Sequence, residues 1–319
     1  MNTCGANNKP RCSSILRALG LVLGLILSGA VSADTGVLFP DIREPYRGVF
    51  LEIVRGVEDR LGESVRTYPV PNDMDPYAVS AWIRANDLDA VIALGNRGVE
   101  AARIVPRGTQ VIAGAVLADP EQSLNGFSGI TLTPDPYVLF DRLRQLAPTV
   151  DRVVVVYSPG NEWLIARAAR AAKDKNLSLN AIKANDIRQA ASIYRELFNG
   201  EMRGSDAIWL PQDSVTVDET AVLGHILREA WNRNVVVFSS NPAHVRRGTL
   251  FSLYPDSFGL GRSLGALIRK PAASRHDARE EILPLSDLLT AVNIRTAEHL
   301  GLTFSAREMR QFDLVFPSQ

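Results

Sequence analysis

The sequence predicts an α/β protein of two similar lobes, each built on a parallel sheet. Three observations carry that expectation. From Asp34 onward, short apolar or β-branched runs alternate with helical segments of roughly 10–15 residues, the pattern of successive βαβ units. Several runs, such as Leu88 to Leu94, are apolar almost throughout, as strands covered on both faces must be. The same run is echoed by Ser205-Asp206-Ala207-Ile208-Trp209-Leu210, and each copy precedes a helix and then another buried strand (Gln110 to Ala113, Val235 to Phe238).

The elements follow in order. Gly36 to Phe39 reads as a strand. Residues 46–61 set Val49, Ile53, Val57 and Leu61 four apart with Phe50 and Val54 beside them, one face of a helix. After the strand 88–94 come a short helix near 97–104, a strand from Thr109 to Val116 and another from Gly129 to Thr133. Asp135-Pro136 opens a helix with proline at an early position, and its Leu139, Leu143 and Leu146 face inward. The second half repeats the alternation: strands 152–157, 177–182, 206–210 and 235–239, with helices 161–174, 186–199 and 218–232. A strand from Thr249 to Leu253, a helix over 256–270 and shorter strands around 281–294 complete the chain.

Composition narrows the class. The 319 residues carry 35 Lys+Arg and 35 Asp+Glu, and 46% are hydrophobic. Neutrality excludes the strong basic excess of a nucleic-acid binder, and the apolar content excludes disorder. The first 33 residues contain Lys9, Arg11 and Arg17, no acid, the apolar stretch Ala18 to Leu27 and small residues up to Ala33. That is the pattern of a cleavable secretory leader, and the stretch is shorter than the roughly 20 residues of a membrane span. Taking 33 residues and three basic side chains from the totals leaves 286 residues with 32 basic and 35 acidic groups, net −3. Cys4 and Cys12 leave with the leader, so the expected mature chain is cysteine-free and suited to an oxidising compartment.

In open α/β sheets ligands sit beyond the carboxyl ends of the strands. Those loops offer Asp41, Arg43, Asn96, Arg97 and Asp119 in the first half. In the second they offer Ser158, Asn161, Gln212, Asp213, Ser239, Asn241, Tyr254 and Asp256. Asn161, Asp213 and Asp256 also stand where helix N-caps are expected. The guanidinium forks of Arg43 and Arg97 suit a carboxylate, and Asp41, Asp119 or Asp213 suits an ammonium, so an amino-acid-like zwitterion is accommodated alongside other polar solutes.

Four segments resemble a known family. They are Leu117-Ala118-Asp119-Pro120 with Gly126-Phe127-Ser128-Gly129-Ile130; Val154 to Asn161 with its Ser-Pro-Gly-Asn loop; Gly248 to Asp256; and Asn293 to Leu302. Together and in this order they are similar to the substrate-binding proteins of ABC transporters with the periplasmic-binding-protein-like I fold, in a branch that takes small organic solutes including aromatic amino acids. Ala118 stands where that branch has Thr or Ser, and Asn96-Arg97 replaces a small Ala-rich loop. The resemblance implies two Rossmann-like lobes joined by a three-stranded hinge, with crossings near 130–134, 253–256 and 275–280. The first lobe is then 34–133 plus 255–277 and the second 134–254 plus 278–319. It implies a periplasmic, monomeric protein without a cofactor, closing on a small-molecule ligand and docking on an ABC permease. A ligand-sensing subunit of a membrane signalling receptor is the alternative.

Other motifs read structurally. Gly261-Arg262-Ser263-Leu264-Gly265 matches a nucleophile elbow, the basis of a remote secreted-hydrolase reading with Asp277 and His299, but Leu260, Leu264, Leu267 and Ile268 continue a helical stripe through it. Its glycines, with Gly259, fit a close approach of helix to sheet. The four histidines, His225, His244, His276 and His299, show no metal-ligand spacing, and His244 lies beside a candidate ligand loop. Arg167, Arg170, Arg228 and Arg233 read as solvated helix faces.

Overall fold

A computed structural model describes residues 34–117, 126–200, 202–269 and 282–317. In the first half, strands β1 (Thr35–Pro40), β2 (Arg66–Val70), β3 (Ala90–Leu94), β4 (Gln110–Val116) and β5 (Gly129–Pro134) alternate with helices α1 (Tyr46–Leu61), α2 (Pro76–Ala85) and α3 (Gly95–Ala102). With β11 (Ile282–Leu285) they form a six-stranded sheet in the order β11-β5-β4-β3-β1-β2, parallel throughout. The second lobe contains β6 (Arg152–Tyr157), β7 (Ser178–Lys183), β8 (Asp206–Leu210), β9 (Val236–Ser239) and β10 (Phe251–Pro255), together with β12 (Leu288–Asn293) and β13 (Leu314–Phe316). Their order is β13-β12-β10-β9-β8-β6-β7, and β10–β12 is the antiparallel pair of this otherwise parallel sheet.

Each sheet is covered on both faces. Along β6, Val153, Val155 and Tyr157 enter one apolar cluster and Val154 and Val156 the other, the period of two that a strand imposes. Helices α4 (Pro136–Leu146) and α5 (Glu162–Asp174) cover one face of the second sheet. Helices α6 (Ile187–Gly200) and α7 (Leu223–Asn232) cover the other. Trp209 is fully buried, its indole N–H donating to Ser240 Oγ at 3.1 Å. The remaining helices are α8 (Ala243–Arg247), α9 (Ser257–Ile268), α10 (Ile294–His299) and α11 (Ala306–Met309).

Helix α9 packs on α1 at backbone distance. A Cβ on Gly56 would run into the Phe258 carbonyl oxygen, and one on Gly261 into that of Ile53. The glycines of the 259–265 motif therefore serve a helix–helix approach in addition to any helix–sheet contact. Ser263 lies in mid-helix and donates to Asp287 Oδ2 at 2.5 Å, without the strand-to-helix turn of a nucleophile elbow. His299 stacks on Trp231, and Asp277 lies outside the described residues.

The chain changes sheets after Pro134, after Pro255 and after Leu285. The third change differs from the expected 275–280. Ile282–Leu285 pairs with β5 and buries Leu285 in the first lobe's core, so these four residues belong to the first lobe and the crossing falls at Ser286–Asp287. Backbone bonds tie the crossings together: Asp135 N donates to Leu285 O at 2.8 Å and Asp256 N to Asp287 O at 3.0 Å. Arg167 is only partly solvated and is engaged in an ion pair rather than free on a helix face. Its guanidinium holds buried Asp135 at 2.9 and 2.6 Å, which keeps the Arg167 pKa raised.

Candidate functional site

The carboxyl ends of the two sheets bring their loops to one region. A cavity of about 690 Å³ is walled by Leu117 and Thr133 from the first lobe's strands and the crossing, and by the loops after β6, β8 and β9. Of the residues expected from sequence, Ser158, Asn161, Gln212, Asp213 and Asn241 line it. Asn96 and Arg97 line an adjoining cavity of about 380 Å³ on the first lobe, which shares Leu117 with the larger one and whose wall includes Pro40, Phe50, Ala115 and Leu132. They sit in the first turn of α3 rather than in a loop. Asp41 and Arg43 are exposed and line a neighbouring depression before α1. Asp119 lies outside the described residues.

Tyr254 and Asp256 belong to the crossing instead. Tyr254 pairs with Leu289, and burial, aided by the charges of Asp313 and Asp256, raises its pKa. Asp256 caps α9, accepting from Gly259 N at 3.0 Å, so the N-cap expectation describes it. Asn161 flanks its helix without a side-chain cap bond and donates to Asp213 Oδ2 at 2.9 Å.

Asp213 organises the second-lobe wall. Its carboxylate accepts from Ser158 N (2.7 Å), Asn161 Nδ2 (2.9 Å), Val215 N (3.0 Å) and Thr216 N (3.2 Å). Burial alone would push the carboxyl up, but these donors outweigh it and hold the pKa below the ordinary value. Both oxygens are thus committed to the protein's own loops. The Tyr194 hydroxyl is fully buried and has no partner among the described residues, and burial reinforced by the Asp213 charge pushes its pKa up.

His244 and Glu219 also line the cavity. His244 Nδ1 lies 2.8 Å from Ser239 Oγ, and Glu219 Oε1 is 3.7 Å from Nε2. Burial lowers the His244 pKa, with Glu219 opposing and Arg247 assisting. Ser239 itself is fully buried behind the wall, bonded to Leu210 O and Asn241 N.

Among the described residues, two buried polar atoms in these walls have no partner: Arg97 Nη1, a donor in the first lobe, and Gln212 Oε1, an acceptor in the second. Ala115 lies between them in the chain's course, at the end of β4. It adopts φ +56° where the β4–β5 register slips, a bulge that bends the strand end at the cavity. Among the described residues, no group of three or more His, Cys, Asp or Glu side chains could hold a metal ion.

Two α/β lobes whose strand ends face a shared polar cavity, joined by three chain crossings, define a two-lobed binding protein of the periplasmic-binding-protein-like I fold. The family model for ABC transporter substrate binding proteins matches residues 104–307, and the chain belongs to that family. No curated protein matches it. Among solved structures, the ligand-free, open form of a substrate binding protein with adhesive properties from Clostridium difficile is similar, at 13% identity and TM-score 0.60, covering 89% of this chain and 99% of that one. An ABC domain from Streptococcus pneumonia in complex with L-Trp matches at 18% identity and TM-score 0.48, with the same coverage. A periplasmic ribose ABC transporter protein from Conexibacter woesei matches at 13% identity and TM-score 0.46, covering 88% of this chain and 96% of that one.

Proposed function

We propose that the cavity binds a small organic solute bearing both an anionic group and a hydrogen-bond donor, for which an amino acid is the simplest candidate, and that the closed protein delivers it to an ABC importer. The observation that supports this is the pair of unpartnered buried atoms, Arg97 Nη1 and Gln212 Oε1, on opposite lobes. A buried polar group left unpaired costs about 1–3 kcal/mol. A carboxylate on the Arg97 fork and an ammonium on Gln212 Oε1 satisfy both at once. A ligand that touches both lobes favours the closed arrangement by its differential affinity for it. The apolar wall of Pro40, Phe50 and Leu132 beside Arg97 then receives the uncharged part of the solute. In this reading residues 1–33 are a leader cleaved after Ala33, and the protein works in the periplasm.

The test is isothermal titration of the mature chain against amino acids and small metabolites. Arg97→Ala is expected to weaken the binding by about 10- to 100-fold, the worth of one charge-assisted hydrogen bond. Gln212→Leu is expected to act selectively on solutes with an ammonium group. A folded protein silent to the whole panel, or an Arg97→Ala variant with unchanged affinity, overturns the reading.

A further inference from the structure

A second concavity, of about 550 Å³, opens on the second lobe among α7, α8, α10 and the C-terminal strand, and shares no lining residue with the interlobe cavity. Arg228, Arg246, Arg247 and Arg295 line it, over an apolar base that includes Trp231 and Phe316, and among the described residues no carboxylate lines it. Nearby acids compensate only part of this charge. Glu229 lies 2.7 Å from Arg233 and 3.6 Å from Arg228, and Glu219 reaches Arg247 at 3.3 Å. Among the described residues neither Arg246 nor Arg295 has an ion-pair partner. Trp231 is fixed in place by His299, stacked on it at 3.5 Å and 7°.

We propose that this pocket is a second ligand site, which takes a soluble, multiply charged organic anion with an apolar or aromatic part. Four like charges around one concavity repel one another, and an anion relieves that repulsion while guanidinium forks bind phosphate or carboxylate oxygens two at a time. The volume is that of a small-molecule site. The concentration of positive charge also runs against the net −3 of residues 34–319, so general surface composition does not account for it. The apolar base selects against a bare inorganic ion, because Trp231 and Phe316 offer contact area that such an ion leaves wet.

The experiment titrates the Arg97→Ala protein, so that anions drawn to the interlobe cavity do not contribute, with adenosine monophosphate, citrate and pyrophosphate at matched ionic strength. Saturable binding at one site per chain is expected, tighter for adenosine monophosphate than for pyrophosphate. Arg246→Ala/Arg295→Ala should weaken it at least about tenfold. Arg188→Ala/Arg195→Ala, which removes two exposed arginines of α6, should leave it unchanged. No response to any probe overturns the proposal, as does equal affinity in the Arg246→Ala/Arg295→Ala protein. Capture on phosphatidylglycerol vesicles without any soluble binding also overturns it and assigns the patch to a membrane surface.

Discussion

Replacing Asp213 by Ala removes one carboxylate and leaves four donors of two loops without an acceptor. The Ser158 and Thr216 N–H groups are buried, and each costs about 1–3 kcal/mol when unpaired. The Asn161 and Val215 donors are half-buried and water replaces part of what they lose. We therefore expect a loss of about 3 kcal/mol, read by urea unfolding with linear extrapolation near pH 7. The pH dependence supplies a second check with a fixed sign. The folded-state pKa of Asp213 is depressed, so its contribution is complete above the unfolded value of about 3.9 and is lost as pH falls through the lower folded value. The difference between wild type and Asp213→Asn, which keeps the shape but sets an NH₂ group against N–H donors, should accordingly shrink below about pH 4. A loss under about 1 kcal/mol for Asp213→Ala, or a wild-type-to-Asn difference that stays constant down to about pH 3, refutes the reasoning.

Three further outcomes are expected. Gly56→Ala and Gly261→Ala each force α1 and α9 apart where backbone meets backbone, and each should cost at least about 2 kcal/mol by the usual penalty of overpacking. Thermal unfolding at wild-type temperature in either variant counts against that packing. Arg167→Gln strands buried Asp135 at the first crossing; a broken buried pair costs about 3–5 kcal/mol, discounted here to about 2–3 because the arginine is 30% exposed. Denaturant midpoints within error of wild type would contradict it. The lowered pKa of His244 means the unfolded chain takes up the proton first, so stability falls as pH drops below about 6.5 and levels off beneath the folded value. His244→Gln should flatten that part of the stability profile, and an unchanged slope between about pH 7 and 5 argues against a depressed His244 pKa.

The elements most legible in sequence are the near-continuous apolar strands and the helices with apolar residues four apart, such as Tyr46–Leu61. Ala90–Leu94 and Asp206–Leu210 are covered on both faces, and their short, largely apolar runs fit strands buried in a parallel sheet. The edge strand β2 carried no such signal: Arg-Thr-Tyr-Pro-Val pairs only with β1 and is largely exposed. Helix α2 does carry a signal of its own, Asp75 as N-cap with Val79 and Ile83 four apart. The helix expected over 218–232 begins at Leu223, because the Asp218 carboxylate takes Thr220 N and Ala221 N and turns the backbone first. Membership of Ile282–Leu285 in the first sheet follows from its pairing at the β5 edge, and that is a property of the assembled sheet rather than of the segment.

The site divides along a different line. The strand-end rule located the second-lobe loops, since Ser158, Asn161, Gln212, Asp213 and Asn241 line one cavity. It passed over Thr133 and Glu219, one inside a crossing strand and the other in a turn read as helix. A list of polar side chains at strand ends states hydrogen-bonding capacity; only the fold states how much of it the protein itself consumes. Asp213, the most strongly charged candidate in the second-lobe wall, has both oxygens filled by backbone and side-chain donors, and Asp256 has one filled by a helix end. Among the described residues, Gln212, neutral and adjacent to Asp213, keeps a buried oxygen with nothing bonded to it, and Arg97 keeps a buried N–H. The hydrogen-bonding capacity left over in the two cavity walls, a donor on Arg97 and an acceptor on Gln212, is therefore set by what the fold consumes, and not by the acids and bases counted at the strand ends.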